Sequence, residues 1–153
     1  MKSRLVCVAL LLAAFAACSD STTFRPNARD EVETAMQNYG RAVKSGSAQD
    51  IAAFYLPDGQ LILPKMAPLT GPDAIVGFLQ PITASTDVAD VQLITRVITV
   101  RSEFNFATME GSYSQLAGPK RGEKQLYTGD FDAEWHYVNG EWRIKRLRMI
   151  PKT

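Results

Sequence analysis

The C-terminal stretch from Tyr127 to Ile150 predicts one long β-hairpin, and the rest of the fold must accommodate it. Two alternating runs of apolar and polar residues flank the dipeptide Asn139-Gly140. Asn-Gly is the strongest short-range hairpin signal, because a type I′ turn needs positive φ at both central residues. A two-residue turn also fixes the register, and it predicts that Trp135 faces Ile144.

The same register places Arg146 opposite Ala133, on the apolar face of the hairpin, where an apolar residue is expected. Two interpretations remain open. A β-bulge at Lys145-Arg146 would turn Leu147 and Met149 inward. Alternatively, Arg146 points into a cavity, where its guanidinium would bind a carboxylate or phosphate through two parallel hydrogen bonds.

The first residues form a secretory signal rather than part of the fold. Lys2 and Arg4 make a basic start, and the apolar run that follows, Leu5 to Ala17, is too short to span a bilayer. We therefore expect residues 1–17 to be a signal peptide and the protein to be exported.

Two processing sites compete after the apolar run. Phe15-Ala16-Ala17-Cys18 resembles the lipobox of bacterial lipoproteins, although the first position is usually Leu. Lipidation of Cys18 would hold the chain on the periplasmic face of a bacterial membrane, with residues 18–27 as a polar tether. Ala14-Phe15-Ala16 also fits ordinary cleavage after Ala16, which would release a soluble periplasmic protein.

Composition excludes several classes of site. Without Lys2 and Arg4, 15 of the 17 basic residues remain against 16 acidic ones, a balance that argues against nucleic-acid binding. The two cysteines, Cys7 and Cys18, precede the fold, so no disulfide is expected within it. His136, on the charged face of the hairpin, is the lone histidine, and a zinc site needs more ligands than one histidine. No phosphate loop or nucleophile motif is present, so we expect no metal and no cofactor.

Helical patterns come first and strand patterns follow. Helical spacing of apolar residues predicts a helix over residues 28–44, and a capping box opens a short one over residues 47–55. A third helix begins at Pro72 and is expected to stop before Pro81. The predicted strands precede the final hairpin and cover residues 60–63, 91–101 and 103–116, with Gly111 as a point of close approach. This order indicates an α+β domain, with one curved antiparallel sheet wrapped around the N-terminal helices.

Several short segments, in this order, are similar to those of a known superfamily. They are Met36-Gln37-Asn38-Tyr39, Ser45 to Asp50, Leu69 to Ile75, Glu110 to Tyr113 and Asn139 to Ile144. The chain resembles the cone-shaped superfamily of nuclear transport factor two, ketosteroid isomerase and the SnoaL-like cyclases. The resemblance implies a SnoaL-like domain over residues 28–153, and it leaves the activity open because this fold hosts many.

The resemblance also implies where an isomerase would place its catalytic groups. The tyrosine on the first helix falls on Tyr39, the carboxylate base falls on Leu63, and the second acid falls near Ala133. One of the three groups is therefore present. Losing a general base costs on the order of 10²–10⁴-fold in rate, so an intact steroid-isomerase mechanism is not expected.

Three functions remain. The first is binding of a small apolar molecule in the cone, anionic if Arg146 points inward. The second is an isomerase, cyclase or dehydratase that uses Tyr39 with an acid such as Glu110. The third is an interaction module that uses the outer face of the sheet to form a homodimer or to bind a partner. The residues expected to line the ligand site are Tyr39, Phe54, Phe78, Met109, Trp135 and Arg146.

Overall fold

The computed structural model describes residues 25–101, 103 and 105–152, in three helices and six strands. The predicted signal peptide (1–17), Cys18 and residues 19–24 of the tether lie outside the described residues. The helices are α1 (Ala28–Ser45), α2 (Ala48–Ala52) and α3 (Pro72–Ser85). The strands are β1 (Tyr55–Ile62), β2 (Leu69–Thr70), β3 (Thr86–Arg101), β4 (Phe106–Pro119), β5 (Gln125–Val138) and β6 (Glu141–Pro151).

All six strands form one curved, unclosed sheet in the order β2-β1-β6-β5-β4-β3. Every neighbouring pair is antiparallel except β1 and β6, which run parallel. The C-terminal strand therefore lies inside the sheet, between the first long strand and the rest. The predicted α+β fold, a curved sheet around N-terminal helices, is confirmed.

Helix α1 packs its apolar side against the concave face of the sheet. Val32, Met36 and Tyr39 recur at helical spacing and are buried. Gly46 ends the helix in the left-handed conformation, with φ of 71°, which glycine adopts without a Cβ clash. A Cβ on Gly40 would lie 3.0 Å from the Leu93 side chain, so this glycine lets α1 approach β3 closely.

Helix α3 does not stop before Pro81, and that prediction is wrong. Proline removes one backbone donor, whose acceptor in a regular helix would be the carbonyl of Gly77. The helix nevertheless continues to Ser85, and the N–H of Thr86 still bonds to the Ile82 carbonyl. One missing hydrogen bond is tolerated, and the extra turn lies over the inside of the cone.

The final hairpin turns at Asn139-Gly140, with φ of 53° and 88°, as predicted. Trp135 faces Ile144, but the next pair is Glu134 with Arg146, because Lys145 is an extra residue in β6. The bulge interpretation is thus the observed one.

The bulge changes the residues that follow it. Ala133 faces Leu147 rather than Arg146, so the predicted register is wrong on this side of the bulge. Leu147 is fully buried, and Met149 is half-buried against the core.

No helix among the described residues has both the length and the apolar character needed to cross a membrane.

Candidate functional site

A cavity of about 190 Å³ lies between the second half of α1, helix α3 and the concave face of the sheet. Most of its wall is aliphatic, and its polar groups are hydroxyls, one glutamine and backbone. No charged side chain is among the described residues that line it. The lining residues are Tyr39, Val43, Gly46, Ile51, Leu61, Leu63, Leu79, Ile82, Thr83, Thr86, Val88, Val91, Leu93, Tyr113, Ser114, Gln115 and Met149.

Tyr39 on α1 brings a phenol side chain to the wall of this cavity. Its oxygen lies 3.1 Å from the hydroxyl of Tyr55 at the start of β1, within hydrogen-bond distance. Both side chains are buried, and the rings of Phe54 and Tyr55 pack edge-on against that of Tyr39 with centroids 5.7 and 6.1 Å away. Burial raises the pKa of Tyr39 to about 12 and that of Tyr55 well above its ordinary value. Both phenols therefore remain protonated at neutral pH.

A second phenol, that of Tyr113 on β4, lines the sheet side of the cavity. Its ring passes over Gly129 on β5, where a Cβ would lie 2.4 Å from a ring carbon. Partial burial and the nearby charge of Asp130 raise the pKa of Tyr113. This position of the ring requires glycine at residue 129.

The structure does not bring together all the residues expected to line the site. Trp135 and Met109 are buried in the core, below the cavity rather than in its wall. Phe78 is half-buried on α3 and also lies outside the wall. Phe54 lines a separate surface cleft of about 620 Å³ beside the first half of α1. Tyr39 is the expected residue that does line the cavity.

Arg146 and Glu110 lie on the convex face of the sheet, which corrects their expected places in the cone. The bulge at Lys145 turns Arg146 outward, where its guanidinium lies 3.7 Å from the Glu134 carboxylate. Glu110 is exposed on the same face, opposite Asp132. Neither side chain can reach Tyr39 through the sheet.

The position that the isomerase resemblance assigns to a base is occupied by Leu63, which lines the cavity with an apolar side chain. No carboxylate or imidazole is among the described lining residues. Within the described part of the chain, no group of three His, Cys, Asp or Glu side chains is arranged to hold a metal.

Helix α3 was expected to contribute Phe78, and the residues that it does contribute to the cavity were not predicted. Leu79, Ile82 and Thr83 have the spacing of one helical face, which is a readable signal. The predicted helix ended before Pro81 and so did not include this face, because Ile82 and Thr83 follow the proline.

A sequence model of the SnoaL-like domain matches residues 25–148, most of the chain. The chain belongs to the SnoaL-like family. No curated protein matches its sequence. The match includes the cavity residues from Tyr39 on α1 to Gln115 on β4, and Met149 on β6 lies one residue beyond its end.

Solved structures share this SnoaL-like fold at low sequence identity. A ketosteroid isomerase-like protein from Erwinia carotovora atroseptica is 16% identical with a TM-score of 0.73, over 85% of this chain and 99% of that one. A proposed scytalone dehydratase from Novosphingobium aromaticivorans is 17% identical with a TM-score of 0.70, over 82% and 84%. A hexachlorocyclohexane dehydrochlorinase is 12% identical with a TM-score of 0.66, over 82% and 85%. At these identities the likeness shows the fold alone.

Proposed function

We propose that this SnoaL-like protein binds a small, neutral, apolar molecule that carries one hydrogen-bond acceptor. The observation that carries the proposal is an aliphatic cavity with a buried, protonated phenol, that of Tyr39, in its wall. Ligand sites are typically apolar with a few placed polar groups. The volume of about 190 Å³ is below the roughly 300–1,000 Å³ of typical sites. We therefore infer a ligand smaller than a drug-sized molecule.

The lining also favours a neutral ligand over an anion. Transfer of an unpaired charge into an apolar site is costly, and the described wall offers no cation to pair with it. Arg146, the reason to consider an anionic ligand, lies on the other face of the sheet.

Tyr39 is the group that would recognise the acceptor. A phenol with a pKa of about 12 is protonated at neutral pH, so it donates a hydrogen bond and does not act as a base. Either hydroxyl can donate in the Tyr39–Tyr55 hydrogen bond, and when Tyr55 donates, the proton of Tyr39 is available to a ligand. A carbonyl or ether oxygen is the matching partner.

Several structural neighbours carry enzyme names, so isomerisation or elimination is the alternative for this site. Such reactions need a group that removes a proton. The described lining supplies phenols and hydroxyls but no carboxylate or imidazole. We therefore favour ligand binding over catalysis. Tyr39 is the hydrogen-bond donor in both cases.

The test is a thermal-shift screen with neutral one- and two-ring ketones, each paired with its carboxylate analogue. A ketone at 100 times its Kd should add about 2.7 kcal/mol to the stability of the protein. Leu63→Phe should fill the cavity and abolish this shift, whereas Ile62→Phe, whose side chain does not line the cavity, should retain it. Equal shifts in the two variants, or a preference for the carboxylates, would contradict the proposal.

A quantitative test addresses Tyr39. Tyr39→Phe removes one hydrogen bond worth about 0.5–1.5 kcal/mol, so the Kd of the ketone should rise roughly 2- to 12-fold. Calorimetric titration measures this change. Turnover of a ketone to an isomer or an elimination product during the titration would favour the enzymatic alternative.

We also propose export with lipidation at Cys18, which the basic and apolar N-terminus supports. The mass of the mature N-terminal peptide tests it. A peptide that begins at a diacylated Cys18 supports the anchor, and one that begins at Ala17 supports cleavage after Ala16 and a soluble periplasmic protein. Cys18→Ser should remove the lipid and leave the ligand response unchanged.

A homodimer is a second candidate function, favoured by exposed apolar residues on the convex face. Ile94, Val97 and Ile150 are 59%, 50% and 45% exposed on this face. Asp130 lies between Ile94 and Ile150 across the strands and pairs with Arg96 at 2.7 Å, so the face combines apolar and charged groups. Light scattering should give twice the monomer mass, and Ile94→Asp should restore the monomer. A monomer at high concentration would contradict this candidate.

A further inference from the structure

The side chain of Arg25, which precedes α1, is held between Tyr137 at the end of the final hairpin and Glu31 on α1. We call this pair of residues the seat of Arg25. Its guanidinium carbon lies 3.5 Å from the centre of the Tyr137 ring, the geometry of a cation–π contact. The same guanidinium donates two hydrogen bonds to Oε2 of Glu31, from Nη2 at 2.5 Å and from Nε at 3.1 Å. The head group is thus held by a ring face and a carboxylate together.

The seat is itself fixed by the core. The indole Nε1 of Trp142 donates to the same Oε2 of Glu31 at 3.0 Å. Trp142 is 6% exposed, and its ring packs edge-on against that of Tyr137 with centroids 5.4 Å apart. Both walls of the seat are therefore held in place by a buried side chain. A planar guanidinium with several donors fits this seat better than an ammonium does.

The seat and the cavity lie at opposite ends of the domain. On α1, Glu31 is in the first turn, whereas Tyr39 and Val43 line the cavity in the second half. From Glu31 to Val43 the helix advances about 18 Å. On the sheet, Tyr137 is next to the hairpin turn, and the cavity residue Met149 lies near the far end of β6.

We propose that Arg25 is a latch, which fixes the point where the N-terminal segment joins the domain beside the hairpin turn, so that the cavity opens away from that segment. A chain held by the latch leaves the domain at one end, and the cavity is reached from the other. This orientation does not depend on what the cavity binds. If Cys18 is lipidated, as proposed above, the cavity opens on the side remote from the bilayer and takes its ligand from water.

The test measures distances from a spin label at residue 24, next to the latch. The full chain, in detergent and with Cys7→Ser and Cys18→Ser, carries Phe24→Cys together with Glu141→Cys at the hairpin turn or Ala84→Cys at the cavity. Double electron–electron resonance should give a short, narrow distance to residue 141 and a longer, narrow one to residue 84. Equal distances would overturn the proposal.

Variants of the Arg25 contacts then test whether these contacts cause the narrow distance distributions. Arg25→Gln and Tyr137→Leu should each broaden both distributions, and Arg41→Gln, which removes an exposed arginine from α1, should leave them unchanged. Circular dichroism verifies that each variant is folded. Arg25→Lys keeps the charge without the planar fork, and it should also broaden the distributions. Narrow distributions in Arg25→Gln would show that other contacts hold the segment, and the latch would be rejected.

Discussion

Arg146 faces Glu134 across the final hairpin, whereas its neighbour Leu147 faces Ala133 in the core. The inserted Lys145 produces this arrangement, because one extra residue in a strand exchanges the two faces for everything that follows. Adjacent residues of β6 therefore make very different contributions to stability.

The first prediction compares these neighbours. Leu147→Ala removes a fully buried side chain and should lower the free energy of unfolding by about 2–5 kcal/mol. Arg146→Ala breaks an exposed ion pair and should cost less than about 1 kcal/mol. Urea unfolding measures both changes. A larger loss for Arg146→Ala than for Leu147→Ala would contradict the observed register.

The second prediction concerns Gly111 on β4. A Cβ there would lie 2.4 Å from the Ile94 carbonyl oxygen and 2.5 Å from the Phe131 ring, so the sheet would have to shift. We expect Gly111→Ala to destabilise the protein by about 1–3 kcal/mol.

Gly77 on α3 is the matched control, because nothing lies within 4 Å of its added Cβ. Gly77→Ala should raise the free energy of unfolding by about 0.5–1 kcal/mol, since alanine favours a helix. Thermal unfolding should therefore shift in opposite directions for the two variants, and a shift in the same direction would count against the close approach at Gly111.

The third prediction follows from the pKa of Tyr39, which is raised to about 12 in the folded chain. An unfolded tyrosine loses its proton near pH 10, whereas the folded one retains it. The stabilisation is therefore complete below about pH 10 and is lost as the pH rises toward 12. At most it amounts to about 3 kcal/mol.

The measurement is the urea midpoint at neutral pH and at increasing alkaline pH. Tyr39→Phe should show a shallower alkaline decline than the unmodified protein. The remaining decline includes Tyr55, whose pKa is raised in the same direction. Identical pH profiles would mean that Tyr39 is not buried as described.

The fourth prediction concerns Pro81, inside α3. Pro81→Ala restores one backbone donor within the helix and removes an unfavourable ring, so the free energy of unfolding should increase by about 1–3 kcal/mol. Part of this gain is offset because proline also restricts the unfolded chain. A loss of stability would show that the restriction of the unfolded chain by proline outweighs the missing hydrogen bond.

Local signals predicted most of the fold. The Asn139-Gly140 turn was readable because positive φ at two successive residues restricts the choice of amino acids. Gly111 was predicted as a close-approach point, and the Phe131 ring occupies the space that its Cβ would need. The helix predicted over residues 28–44 corresponds to α1, because its apolar spacing is regular and its end is marked by Gly46.

The site was less predictable because it depends on contacts between distant segments. The cavity combines side chains from α1, α2, α3 and four strands, and no local pattern encodes how they meet. The hydrogen bond between Tyr39 and Tyr55 joins two elements whose relative position is set by the sheet. Arg146 had two interpretations in the sequence, and a one-residue bulge decided between them.

The position of β6 has a consequence for synthesis. It joins β1 to β5, so the pair β1–β2 and the block β3–β5 share no strand pairing until β6 is made. A two-stranded unit alone is marginally stable in water. The sheet of the nascent chain therefore stays in two parts until this eleven-residue strand has left the ribosome and paired with both. A premature stop codon before β6 would remove the strand that connects the two parts of the sheet, so β1 and β5 would both lose a neighbour.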